Sequence, residues 1–175
     1  MRMLFDIDTK DYDMNGSVFI RPSARGIIIK GDNIAMIHSL KYDYYKFPGG
    51  GIESDEHKED ALVREVLEET GLSVIRSSIH EYGQVHRIQK GDKEDVFIQD
   101  NYYFLCAVET EVKPQRLDEY EAWECFTLEY VNPQEAINTN RRNRLEETDH
   151  IMLERDAMVL EFLIKEGYFE GGSLC

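Results

Sequence analysis

The sequence predicts an α+β fold, a mixed β-sheet sandwiched between α-helices. Three observations lead there. Stretches rich in β-branched and aromatic residues outnumber the helix-patterned ones. The helical stretches are interspersed among the strands rather than gathered at one end, so they are expected to cover the faces of the sheet. No repeat, low-complexity segment or linker divides the 175 residues, a length that fits one domain. The chain is 42% hydrophobic and 11% aromatic with only 4 Pro, which supplies a core and argues against disorder.

Taken in order, residues 1–16 are polar and acidic without a clear period, and read as an N-terminal extension that docks on the domain or on a partner. The domain proper is then 17–175. Residues 17–30 (SVFIRPSARGIIIK) and 33–40 (NIAMIHSL) read as a hairpin about the Gly31-Asp32 turn, with Pro22 breaking the first strand. A tyrosine-rich stretch leads into Pro48-Gly49-Gly50-Gly51, the strongest loop punctuation in the chain. Residues 54–70 read as a helix. Ser54 is its N-cap, Asp55 and Glu56 suit the positive end of its dipole, Ala61, Leu62, Val66 and Leu67 form its apolar stripe, and Gly71 lies just past its end. Residues 72–79 and 82–90 read as strands, Gly91-Asp92 as a turn, and 96–108 as a long aromatic strand. A polar acidic segment precedes a last short strand at 125–131. Asn132-Pro133 then opens a short helix as cap and first-turn proline, and a C-terminal helix covers 148–166.

The chain carries 35 acidic and 20 basic residues, a net charge of −15. That balance argues against general binding of nucleic-acid polymers, whose phosphates need clustered Lys and Arg. It argues equally against docking on anionic membranes. The partner expected is a small molecule, and the assembly a monomer or homodimer. The three cysteines, Cys106, Cys125 and Cys175, are widely spaced and form no CxxC pair, so neither a disulfide framework nor a zinc knuckle is expected. The N-terminus turns acidic too early for a signal peptide, and no apolar run approaches the ~18 residues of a membrane span. A cytoplasmic location follows as the expectation.

The acid excess is concentrated. Residues 53–69 carry a net −6 and residues 109–129 a net −5, so these two segments hold most of the total. Within the first, Glu65, Glu68 and Glu69 are related by steps of three and four and share one side of the helix. Three like charges there weaken a helix unless a cation sits among them. Arg64 can pair with Glu68 at i+4, and a divalent metal relieves more. Carboxylate oxygens suit Mg²⁺ or Mn²⁺, and Mg²⁺ favours few carboxylates plus water and substrate phosphate. The bare reading is a Mg²⁺ site made by a glutamate helix beside a glycine loop.

The run Gly50-x5-Glu56-x7-Arg64-Glu65-Val66-x-Glu68-Glu69-x-Gly71-Leu72 resembles the Nudix box at every defining position. Nine such positions coincide by chance in well under about one in 10⁵ chains of this composition, so the match is specific. Phe47-Pro48-Gly49-Gly50 and the later WECFTLEYV are also similar to the family's pattern. The resemblance implies a Nudix fold with the box as loop–helix–loop, and hydrolysis of a diphosphate linkage in a nucleoside diphosphate bonded to another group. It implies Glu65, Glu68 and Glu69, helped by the Gly49 carbonyl, as ligands of Mg²⁺, with Mn²⁺ as the substitute. It implies Glu65 as general base, Arg64 as the residue that orients the glutamates, and Glu56 as a brace for the loop. A further ligand or base is expected from Asp118, Glu119 or Glu121, with Glu121 favoured.

Other residues have a plainer reading beside the functional one. Arg25, Lys46 and Arg87 are candidates for substrate phosphates, against surface ion pairing in an acidic protein. Tyr42, Tyr44, Tyr45, Tyr102, Tyr103 and Trp123 are candidates for stacking on a base, against ordinary packing. His86 reads as structural, Cys106 as core, Arg141 to Arg144 as an exposed basic loop, and Arg155-Asp156 as a solvated pair. Residues 85–89 lack the proline of ADP-ribose enzymes and the tyrosine of many dinucleoside-polyphosphate enzymes, and the NADH-type and coenzyme-A-type runs are missing. By elimination the substrate expected is a nucleoside triphosphate or modified nucleotide, giving a monophosphate and pyrophosphate. Two alternatives remain on the same fold: a non-catalytic nucleotide-binding module, which typically loses the box glutamates, and a prenyl diphosphate isomerase, which needs a catalytic cysteine.

Overall fold

In the computed structural model, which describes residues 1–169, the chain runs through twelve strands and four α-helices. The strands are β1 (Met3–Asp8), β2 (Val18–Ile20), β3 (Ser23–Ile27), β4 (Ile29–Lys30), β5 (Asn33–Ser39), β6 (Tyr44–Lys46) and β7 (Gly49–Gly51). Helix α1 (Lys58–Thr70) follows, then β8 (Leu72–Val74), β9 (His80–Gln89), β10 (Val96–Leu105) and β11 (Val108–Val112). Helix α2 (Glu119–Trp123), β12 (Phe126–Val131), α3 (Pro133–Arg142) and α4 (His150–Lys165) complete it.

The main sheet has the order β1-β9-β10-β3-β7, with β2 also paired to β10. It is mixed: β10 lies antiparallel to β9 and parallel to β2 and β3. A second sheet, β12-β5-β4 with β6 on β5, packs beside it, and β8 pairs with β11. The period of two along each strand sends alternate residues to opposite helices. Ala24 and Phe104 join the cluster under α1 with Leu62 and Val66, whereas Ile27 and Tyr103 join the cluster under α3 and α4 with Ile137 and Leu160. The expected sandwich is therefore present. No helix among the described residues is long and apolar enough to cross a membrane.

Several boundaries differ from the sequence reading, each for a local reason. The 17–40 hairpin survives only at its tip, where β4 pairs with β5; β3 instead pairs with β10 and β7. Pro22 has no N–H to donate, and its carbonyl accepts from Ile52 on the way out of the glycine loop. The glutamate helix begins at Lys58 with His57 as N-cap, not at Ser54. Asp55 sits at φ +65°, a left-handed conformation that breaks any helix started there. The expected 72–79 strand stops at Val74 and turns through a 3₁₀ segment, Arg76–Ser78. The 96–108 strand breaks after Leu105, where the Ala107 N–H donates to the Ser78 hydroxyl at 2.9 Å. The acidic segment contains α2, a helix the sequence reading did not anticipate. Residues 1–16 include β1, which runs parallel to β9 and closes one edge of the main sheet.

Two charged groups are also relocated. Arg141 lies in the last turn of α3 and pairs with Glu154 (2.7 Å) and Glu161 (2.6 Å) of α4, so it clamps two helices and is not a loose basic loop. Arg155 and Asp156 are not solvated; both are fully buried beneath the main sheet. Asn132 caps α3 as expected, accepting from the Gln134 N–H at 3.0 Å. Cys106 lies in the core, and burial pushes its thiol up to about 12. Cys175 lies outside the described residues.

Gly71 ends α1 at φ +75° and donates its N–H to the Leu67 carbonyl. A Cβ there would sit 1.9 Å from the Lys113 carbonyl oxygen. Gly71→Ala is therefore expected to destabilise the protein by at least about 1–2 kcal/mol. Urea unfolding measures it, and an unchanged midpoint would refute the close approach.

Candidate active site

The glycine loop is itself a strand. In β7, Gly49, Gly50 and Gly51 pair with Arg25, Ala24 and Ser23 of β3. Gly49 takes φ +134°, and a Cβ on it would lie 2.1 Å from the Ala24 carbonyl oxygen. A Cβ on Gly50 would lie 2.3 Å from Glu65 Oε2. The close approach is thus confined to Gly49 and Gly50, since at Gly51 a Cβ would meet only the Arg21 side chain, at 3.2 Å.

Arg64 binds helix, loop and strand into one unit. Its Nε and Nη2 donate to the two oxygens of Glu56 at 2.9 and 2.8 Å, and Nη2 also reaches the Gly51 carbonyl at 3.0 Å. Its Nη1 donates to Glu65 Oε1 at 2.7 Å and lies 3.5 Å from Glu68 Oε2. Glu56 in turn accepts from the Glu53 N–H at 3.0 Å, and hydrogen bonding from Arg64 holds its carboxyl below the usual range. Only a planar fork with five donors makes this set of contacts.

The four predicted acids face one cleft of about 390 Å³, which Glu65, Glu68, Glu69 and Glu121 line together with Asp118. Their states differ. Burial lifts the Glu65 carboxyl above its ordinary range, although Arg64 opposes this, and Glu68 adds like-charge repulsion. Glu68 is the most open, and its carboxylate lies 3.5 Å from Arg64. Glu69 is almost fully buried; Oε1 lies 2.6 Å from Lys46 Nζ and Oε2 accepts from the Gly49 N–H at 2.8 Å. Glu121 accepts from the Asp118 N–H at 2.9 Å and the Tyr120 hydroxyl at 3.0 Å; burial raises its carboxyl and Glu69 adds to that.

This donor set fits a hard divalent cation. Carboxylates held together against desolvation and mutual repulsion are what an oxygen-seeking ion relieves. Among the described residues no three acidic, His or Cys side chains already converge on one point. Fixed groups hold them apart: Lys46 draws Glu69, the start of α2 draws Glu121, and Arg25 donates to the Gly49 carbonyl.

A larger cleft of about 850 Å³ opens on the other side of the glycine strand and shares Arg21 and Gly51 with the acidic one. Its lining includes Arg25, Lys46 and Arg87, the three cations expected to meet phosphate, and also Arg155. All four are buried. Arg87 pairs with Asp149 at 2.8 Å and Gln89 at 2.6 Å, and Arg25 Nε has no partner. On the main sheet its lining includes Arg87 and Gln99, which stand opposite each other on β9 and β10.

Of the aromatic candidates, Tyr44 lines this cleft. Tyr45 and Tyr103 are core residues. Tyr42 and Trp123 pack edge-on at 5.8 Å, and Lys58 Nζ lies 3.7 Å over the Tyr102 ring. His86 faces Asp100 at 2.8 Å and lines neither cleft. Sequence reasoning missed Gln99 and Asp149. Gln99 carried a signal, being a polar residue at an inward position of an aromatic strand.

The NUDIX domain family model matches residues 20–148. The RNA pyrophosphohydrolase of Ruthia magnifica is 29% identical over 126 residues, 71% of this chain and 63% of that one. The RNA pyrophosphohydrolase of Pseudomonas putida is 44% identical over 54 residues, 30% of this chain and 33% of that one. The chain thus spans less than two thirds of either relative. Among solved structures, a NUDIX hydrolase from Nitrosomonas europaea aligns with TM-score 0.55 at 17% identity, covering 81% of this chain and 90% of that one. A MutT protein from Bacillus halodurans aligns with TM-score 0.54 at 17% identity, covering 77% and 80%. These similarities are to the fold. The glycine strand, the Arg64 fork and the glutamate helix all fall inside the matched span, and the chain belongs to the NUDIX family.

Proposed function

We propose that this chain is a Mg²⁺-dependent hydrolase of a diphosphate linkage in a nucleoside diphosphate derivative. The substrate proposed is a nucleoside triphosphate or modified nucleotide, and the products a monophosphate and pyrophosphate. One observation carries this reading: an acidic cleft built for a cation shares a wall with a cleft lined by buried cations and of about nucleotide size.

Glu65, Glu68 and Glu69, helped by the Gly49 carbonyl, would hold the metal, with Mn²⁺ as substitute, and Glu121 borders the same space. When bound, the ion supplies Lewis-acid polarisation of phosphoryl oxygens and a more acidic water. Glu65 is the proton acceptor in this reading: Arg64 Nη1 holds its Oε1 at 2.7 Å, which leaves Oε2 for the proton. Arg64 fixes the rotamer of that carboxylate. Arg25, Lys46 and Arg87 orient phosphate oxygens over the glycine strand. Arg64→Lys keeps the charge but loses the fork, and should lower kcat/KM by about 10- to 100-fold. An unaltered kcat/KM would remove Arg64 from the positioning role.

The reading is tested by phosphate and pyrophosphate release across a nucleotide panel, with and without Mg²⁺. No turnover of any member would sink it. A second substrate belongs in that panel because the relatives are RNA pyrophosphohydrolases: a short RNA with a 5′-triphosphate presents the same linkage. The net charge of −15 counts against an extended RNA contact. The isomerase alternative loses support from Cys106, whose buried thiol is a poor nucleophile.

A further inference from the structure

Gln99 lines the larger cleft from the middle of β10 and is only 7% exposed. One end of its amide is pinned. Oε1 accepts from Arg155 Nη1 at 3.3 Å, and Arg155 is itself buried and held by Asn101 at 2.7 Å and Asp156 at 2.8 Å. A guanidinium only donates, so the amide oxygen faces it and the amide nitrogen faces away. Among the described residues that nitrogen donates to no acceptor. The fold thus offers the cleft one neutral donor that cannot exchange places with an acceptor.

The surroundings of Gln99 show what it meets. Phe97 lies two residues along β10 on the same face, and Phe19 of β2 stands in register with it, their ring centroids 5.9 Å apart. Phe19 is 44% exposed, and both rings line the cleft. Arg87, opposite Gln99 on β9, is turned to Gln89 and Asp149. In the other direction along β10, Asn101 is in register with Ser23, and Ser23 with Gly51 of the glycine strand. From Asn101 to Phe97 is about 13 Å along the strand. That distance leaves room for a ribose between phosphates at the glycine strand and a base against Phe19 and Phe97.

We propose that this end of the larger cleft reads a purine base: Phe19 and Phe97 stack the ring, and the Gln99 amide donates to the carbonyl oxygen O6, so that guanine and hypoxanthine are accepted and adenine is refused. Guanine and hypoxanthine carry an acceptor where adenine carries the N6 amine. A free glutamine reads adenine by using both ends of its amide; here Arg155 has taken the oxygen. Adenine therefore meets Gln99 donor against donor, with both groups desolvated and unpaired. The aromatic rings accept any base face, so they supply affinity and Gln99 supplies the choice.

The inference rests on the hydrolase reading above for where the phosphates lie, and the test keeps the two apart. GMP, IMP and AMP contain no diphosphate linkage, so their binding to the full chain by isothermal titration calorimetry reports the base site whether or not turnover occurs. GMP and IMP are expected to bind within about 3-fold of each other and at least about 10-fold more tightly than AMP. Gln99→Glu keeps an oxygen for Arg155 and replaces the donor by an acceptor. It should weaken GMP and IMP by at least about 10-fold and abolish or reverse their advantage over AMP. Phe19→Ala should weaken all three by at least about 5-fold and leave their order unchanged. AMP binding as tightly as GMP overturns the inference, as does IMP behaving like AMP, a preference that survives in folded Gln99→Glu, or no binding of GMP at about 10 mM. If Gln99→Glu fails to fold, Gln99→Met, which also lacks the donor, takes its place with the same expected loss of preference. Selective GMP binding by a chain that hydrolyses no nucleotide would sink the hydrolase reading and leave the base site standing. Turnover of nucleotides with equal binding of GMP and AMP would do the reverse.

Discussion

Glu68→Gln is expected to lower kcat by at least about 100-fold while the protein stays folded. The side chain is 37% exposed, and its contact is with Arg64 at 3.5 Å. No buried partner is abandoned by the change, and Gln conserves the volume. What disappears is one negative charge facing the acidic cleft. A thermal midpoint close to wild type, together with the loss of rate, identifies the charge as functional. A rate near wild type at saturating Mg²⁺ would remove Glu68 from the site. Glu69→Gln should also slow turnover: it removes another negative charge from the acidic cleft, leaves the Lys46 ammonium buried without a counter-charge and weakens the acceptor of the Gly49 N–H in the glycine strand.

The parts of this site that were legible in the sequence are those fixed by local spacing. Steps of three and four on one helix place Glu65, Glu68 and Glu69 together, and i+4 brings Arg64 to Glu68. The left-handed end of α1 needs a glycine, and Gly71 supplies it. The alternation of strands gave the sandwich and most of its core. What stayed hidden depends on contacts between segments distant in the chain. The partner of Glu69 is Lys46, 23 residues away, and the partner of Arg87 is Asp149, 62 residues away. No local period encodes either. The same limit explains why Ser54 was a misleading cap: a Ser followed by acids looks like a helix start, but Glu56 is held back by Arg64 and Asp55 takes a left-handed turn. Arg155-Asp156 misled in the opposite direction, since adjacent opposite charges on a helix are most often solvated.

That buried pair carries the largest expected effect on stability. Asp156 Oδ1 accepts from Arg155 Nε at 2.8 Å and from the Tyr103 hydroxyl at 3.1 Å, while Oδ2 accepts from the Phe47 N–H at 3.2 Å. Arg155 Nη1 donates to Asn101 at 2.7 Å, and Nη2 lies 2.8 Å from Asp156 without an aligned hydrogen bond. One carboxylate thus joins α4 to β10 and to the residue that leads into the glycine strand. Asp156→Ala would strand a guanidinium, a phenol and a backbone N–H in the core, at a cost of about 3–5 kcal/mol. For a chain of this size that is a fall of about 10 °C in Tm. The loss should be insensitive to salt, because a fully buried pair is not screened. Converting both partners to apolar residues, Arg155→Met with Asp156→Leu, should restore much of the Arg155-derived part and leave the Phe47 N–H still unmet. A shift below about 2 °C in Asp156→Ala would mean that the network relaxes around the gap and that α4 is not tied to the glycine strand through this residue.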